Sequence, residues 1–149
     1  MKLTSSAFSD GGEIPRKFGY KNGNKQPDLS VSEMPEGTEY LALIMDDPDA
    51  MGAVGKVWLH WLVWGIVPNM EDHMDNFPAN EYIEGVTDFG KAGYGGPAPP
   101  DKRHTYVFKV YAVDGSLEGI NSESTRADVE KAMEGHIIEQ TQLTGTYAP

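Results

Sequence analysis

Residues Val57–Val67 read VWLHWLVWGIV, and Pro68 follows directly. Side chains alternate between the two faces of a strand. Here both faces are apolar, with His60 as the exception. A short apolar run rich in aromatic and β-branched residues, stopped by proline, predicts a central strand buried on both sides. Two further runs resemble it. Tyr40–Met45 (YLALIM) ends at Asp46-Asp47-Pro48-Asp49, where proline cannot donate to a ladder and a loop begins. His104–Val113 (HTYVFKVYAV) follows the loop Gly93–Pro100 (GYGGPAPP) and stops at the turn signal Asp114-Gly115.

Around these strands the chain is punctuated by turns. Gly11-Gly12, Asn22-Gly23 and Pro35-Glu36-Gly37 make residues 11–37 loop-rich. One helix is predicted, from about Arg126 to Thr141. Ser124 or Thr125 caps it, Asp128 complements its dipole, and Val129, Met133 and either His136 or Ile137 form its apolar stripe. The alternation of strand and helix that builds a doubly wound sheet is absent. The expected class is mainly β: an antiparallel sandwich or thick sheet with the helix packed outside. The 149 residues are expected to form a single domain, 1–149.

Composition narrows the function. Twelve Lys and Arg against 23 Asp and Glu give a formal charge of -11. That balance argues against nucleic acid and against polybasic attachment to anionic membranes. A small anion remains admissible, because a distant field is screened beyond about 10 Å. With no cysteine, disulfides, zinc–thiolate sites and thiol nucleophiles are excluded. The N-terminal MKLTSSAFSDGGEIP has no apolar run, so neither a signal peptide nor membrane insertion is expected, and the expected location is cytoplasmic.

Four groups of residues can carry chemistry. His60 shares a strand face with Trp58, Leu62 and Trp64 if alternation is regular. Such a histidine is either satisfied by a backbone carbonyl or part of a site. His104 and Tyr106, two apart, point to one face and offer ring and phenol donors; the plainer reading is a pair at a sheet end. Asp47 and Asp49 either make turns or hold a histidine in one tautomer or charge state. Gly95-Gly96 lets backbone approach a ligand, while Pro97, Pro99 and Pro100 stiffen the wall; the loop can equally be a rigid turn. His73 is expected to be exposed and His136 to pack on the helix stripe. No spacing suits a metal, and no cofactor is expected.

With these pieces in order, the chain resembles the phosphatidylethanolamine-binding family, in particular its bacterial and archaeal Raf-kinase-inhibitor-like branch. The likeness runs from Phe8–Pro15 (FSDGGEIP) to Leu143–Tyr147 (LTGTY). It is carried by Leu41–Ala50 (LALIMDDPDA), His60–Val63 (HWLV), Asp88–Pro100 (DFGKAGYGGPAPP), His104–Ala112 (HTYVFKVYA) and, more loosely, Ala132–Ile137 (AMEGHI). The resemblance implies a β-sandwich with peripheral helices and a small cavity for phosphate, acetate or a phospholipid head group. It implies Asp47 with Asp49 in support, His60 with Trp58 as wall, Gly96, Ala98 and Pro99, and His104 with Tyr106 as ligand-binding residues. Met51 replaces a family proline, Thr105 a family arginine, and Ala98 a cysteine common in the branch. The C-terminal helix of animal members is missing.

The expected function is therefore non-catalytic binding of a small anion or phosphate-bearing ligand. The resemblance adds a protein kinase or a serine protease as candidate partners. A homodimer is expected to cover apolar surface left bare. The alternative is a phosphoester-processing enzyme using the His/Asp/Tyr set, although no activated nucleophile is evident.

Overall fold

The three apolar runs become neighbouring strands of one sheet. The computed structural model describes residues 1–149. Its elements are β1 (Lys2–Ser5), β2 (Gly12–Glu13), β3 (Leu29–Ser32), β4 (Tyr40–Asp47), α1 (Ala50–Val54), β5 (Trp58–Ile66), β6 (His73–Met74), β7 (Ile83–Glu84), β8 (His104–Val113), α2 (Arg126–Met133) and β9 (Ile137–Tyr147). One sheet has the order β2-β9-β8-β4-β5-β7, the other β1-β3-β6. The pairings are antiparallel except the short parallel contact of β2 with β9.

The doubly apolar strands are explained by two cores. Leu41, Leu43 and Met45 of β4 and Tyr106, Phe108 and Val110 of β8 pack with Leu29 and Val31 of the smaller sheet. Ala42 and Ile44 of β4 and Tyr111 and Val113 of β8 pack under Val129 and Met133 of α2. Each long strand thus alternates between two dry layers, and burial on both faces is what its composition requires.

Three sequence expectations are corrected. The helix ends at Met133, not near Thr141. Gly135 takes φ +79°, a conformation that ends helices and suits glycine. From Ile137 the chain becomes β9, paired with β8 along its length. Ile137 is exposed, and so is His136, whose Nδ1 bonds Asp114 at 2.9 Å. Neither belongs to the helix stripe. The third correction is the face of His60. Met45 pairs with Trp61 and Asp46 with Leu59, so His60 is the extra residue of a β-bulge. Leu62 and Trp64 face the α2 core. The bulge turns His60 the other way, edge-on to the Tyr106 ring with centroids 5.2 Å apart.

Candidate functional site

The Asp46-Asp47-Pro48-Asp49 corner distributes its carboxylates by strand alternation. Asp46 faces α2, where Arg126 Nη2 reaches it at 2.7 Å. Asp47 faces the opposite side. Its Oδ1 accepts from the Ala50 amide at 3.1 Å, and its Oδ2 accepts from His104 Nδ1 at 2.6 Å. Asp49 turns outward and accepts the Thr105 amide at 2.8 Å, tying the corner to β8.

His104 is fully buried, and its second nitrogen, Nε2, donates to Asp101 Oδ1 at 2.7 Å. A neutral ring has one lone pair, which would face a carboxylate; two carboxylate partners require the imidazolium. Burial works against that charge, but the hydrogen bonds and charges of Asp47 and Asp101 outweigh it, so the His104 pKa lies above the ordinary 6.5. The same bond holds the Asp101 carboxyl below its usual range.

His60 behaves oppositely. Its Nδ1 donates to the Gly95 carbonyl at 2.7 Å, and its own carbonyl accepts the Gly95 amide at 2.8 Å. The reciprocal pair fixes the tautomer, so the neutral ring carries its lone pair at Nε2. Burial pushes the His60 pKa below 6.5, against the hydrogen bond to Gly95 and the Asp47 charge. A Cβ at Gly95 would lie 2.4 Å from the Phe89 ring, so the bare glycine lets Phe89 meet His60 edge-on at 5.2 Å.

These groups surround a cavity of about 230 Å³. Asp47, Trp58, His60, Ala98 and His104, all read from the sequence, line it. Tyr106 stands beside them, against both histidine rings. Asp49 does not line it, and neither do the other two loop residues. Gly96 donates its amide to Asn24 Oδ1 at 2.7 Å, and a Cβ there would lie 2.0 Å from the Phe18 carbonyl; its bareness serves loop packing. Pro99 lines a neighbouring groove with Arg16 and Lys21.

Sequence reasoning missed Phe89, Asp101 and the apolar floor of α1, formed by Ala50, Ala53 and Val54. Asp101 stands three residues before His104, the one signal that could have found it. A wider depression of about 590 Å³ lies beside α2. The molecule's two buried side-chain donors without a partner lie elsewhere: they are Trp58 Nε1, in the smaller cavity's wall, and the Tyr106 hydroxyl. Burial pushes the Tyr106 ionisation up, and so do the charge and the side chain of Asp47, toward which the hydroxyl leans without reaching hydrogen-bond geometry; the phenol keeps its proton as a donor.

No helix is long and apolar enough to cross a membrane. A family model described as phosphatidylethanolamine-binding protein matches residues 4–148. A UPF0098 protein of Methanothermobacter thermautotrophicus is 38% identical over 152 residues, covering 99% of this chain and 98% of the relative. A UPF0098 protein of Chlamydia muridarum is 38% identical over 155 residues, with the same coverage of 99% and 98%. Among solved structures, the phosphatidylethanolamine-binding-protein homologue CT736 of Chlamydia trachomatis superposes with a TM-score of 0.85 at 35% identity, covering 97% of this chain and 95% of that one. YbcL of Escherichia coli, described as a member of the mammalian family of that name, gives a TM-score of 0.83 at 30% identity over 98% and 96%. With its motifs, sandwich and likeness spanning nearly the whole sequence, this chain belongs to the phosphatidylethanolamine-binding protein family.

Proposed function

We propose that this protein is a non-catalytic binder of small anions, including phosphorylated and phospholipid head groups, at the cavity between His60 and His104. The observation that carries the reading is the pair of partnerless donors, Trp58 Nε1 and the Tyr106 hydroxyl. A buried donor left unpaired costs about 1–3 kcal/mol, and such groups are rare in native proteins. A ligand rich in acceptor oxygens would take up the Trp58 donor in the cavity wall, and the Tyr106 hydroxyl beside it once the side chains that shield both atoms shift. His60 Nε2 contributes as a donor once protonated, and a bound anion favours that protonation.

The lining supports binding over turnover, because it offers no serine, threonine or cysteine nucleophile and the neighbouring Tyr106 phenol keeps its proton. One observation favours the enzymatic alternative. The neutral His60 Nε2 is an acceptor that could take a proton from water. A panel of phosphomonoesters separates the two. Saturable binding without turnover is expected; turnover that disappears in His60→Ala would overturn the non-catalytic reading.

The family resemblance extends the proposal to a protein partner, a kinase or a serine protease regulated by occupancy of the cavity. Pull-downs with and without phosphate test it. A cytoplasmic location completes the proposal and is checked by fractionation. A second copy of the chain is proposed to cover Met51 and Val54, which stand about half exposed on α1 beside the cavity.

A further inference from the structure

His104 has two carboxylate partners of different character. The Asp47 side chain is 4% exposed and also accepts the Ala50 amide. The Asp101 side chain is 43% exposed, lies in the turn after Pro99-Pro100, and accepts from no other side chain. Releasing Asp47 would strand a buried charge. Releasing Asp101 returns a carboxylate to water, where ion pairs contribute only about 0–1 kcal/mol. Of the two, Asp101 is the exchangeable partner.

We propose that Asp101 is an internal competitor for the anion site, occupying at His104 Nε2 the position that an anionic oxygen of the ligand takes on binding. This rests on the anion-binding reading given above. With Asp101 in place, the cluster Asp47–His104–Asp101 carries a net negative charge and opposes a further anion. When a ligand oxygen replaces Asp101, one anion is exchanged for another and the buried imidazolium keeps both its hydrogen bonds. A neutral carbonyl makes a poorer exchange, because charge-assisted hydrogen bonds are about twice as strong as neutral ones.

Competition has a quantitative signature. An occupied latch lowers the apparent affinity of every ligand by the same factor, the fraction of molecules with the latch open. A through-space charge effect acts differently: it penalises a dianion about twice as much in free energy as a monoanion.

The test is calorimetric titration with sulfate and with acetate at about pH 6, where both are ionised and His104 is charged. Wild type, Asp101→Ala and Asp101→Asn are compared, with folding checked by circular dichroism. Asp101→Ala is expected to bind both anions more tightly, by the same factor of about two to five. Asp101→Asn, which keeps a neutral acceptor, is expected to fall between. Unchanged or weaker binding in both variants overturns the inference while leaving the anion site standing. A gain for sulfate equal to the square of the gain for acetate overturns it too, in favour of a general charge effect. Absence of saturable binding in all three proteins overturns both the inference and the reading beneath it.

Discussion

A buried imidazole flanked by two carboxylates, as His104 is, holds its proton more tightly when folded than when unfolded. Its folded pKa is raised above 6.5, so its contribution is fully present below about pH 6.5 and is lost as pH rises through the folded value. His60 has a lowered folded pKa, so the unfolded chain binds its proton first, and stability is lost as pH falls below 6.5 toward the folded value. Urea midpoints measured across the neutral range are expected to fall on both sides. His104→Asn is expected to flatten the alkaline side and His60→Asn the acid side; a variant that leaves its own side unchanged contradicts the assignment. Removing the ring altogether, as in His104→Ala, strands the Asp47 carboxylate and is expected to cost about 3–5 kcal/mol. At this scale the sequence was legible where polar groups interrupt apolar strands, as Asp47, His60, His104 and Tyr106 do. His60 reached the Tyr106 face through a bulge, which alternation alone assigns to the wrong side. Phe89 and Asp101 lie in loops, where no periodicity marks them.

The α2 segment shows how local signals compete. Thr125 accepts the Asp128 amide at 3.2 Å and Asp128 accepts the Thr125 amide at 2.9 Å, a reciprocal cap that decides between Ser124 and Thr125 and gives Asp128 a bond beyond its place at the dipole. Thr125→Ala is expected to cost about 1 kcal/mol, read as a shift in urea midpoint at constant slope. The helix end was misread because Ile137 continues the helical spacing, although Gly135 and the run of Thr141, Leu143, Thr144, Thr146 and Tyr147 favour a strand. Arg126 binds α2 to Asp46, whose side chain is only 3% exposed. Arg126→Ala is expected to exceed the Thr125→Ala loss, because it leaves the buried Asp46 carboxylate with only Lys109, at 3.5 Å, as a partner. Equal losses would show that the Arg126–Asp46 pair contributes nothing beyond the helix end. The short strands β1, β3 and β6 were not legible, being too brief for period-two alternation to register.

For the molecule as a whole, sheet, bulge and proline-rich loop bring residues more than 50 positions apart onto one cavity, as Asp47 and His104 are 57 apart. The mainly β architecture and its family motifs were legible because they need only three apolar strands and their stops. The second sheet and β9 were not, because they are defined by long-range pairing. The half-exposed Met51 and Val54 lead to an assembly prediction: sedimentation velocity is expected to give a dimer that Val54→Asp converts to monomer, and a monomer at all concentrations contradicts it. The measurement that tests the central claim most directly is calorimetric sulfate binding to wild type and Tyr106→Phe across the neutral range, with the ligand-free stability of each. Wild-type affinity is expected to rise as pH falls, because His60 takes up a proton on binding. Tyr106→Phe is expected to bind about tenfold more weakly while its ligand-free form stays folded, since a buried phenol donor beside the cavity is removed. Wild-type affinity that is flat with pH, or a Tyr106→Phe protein that binds sulfate as wild type does, would contradict the account.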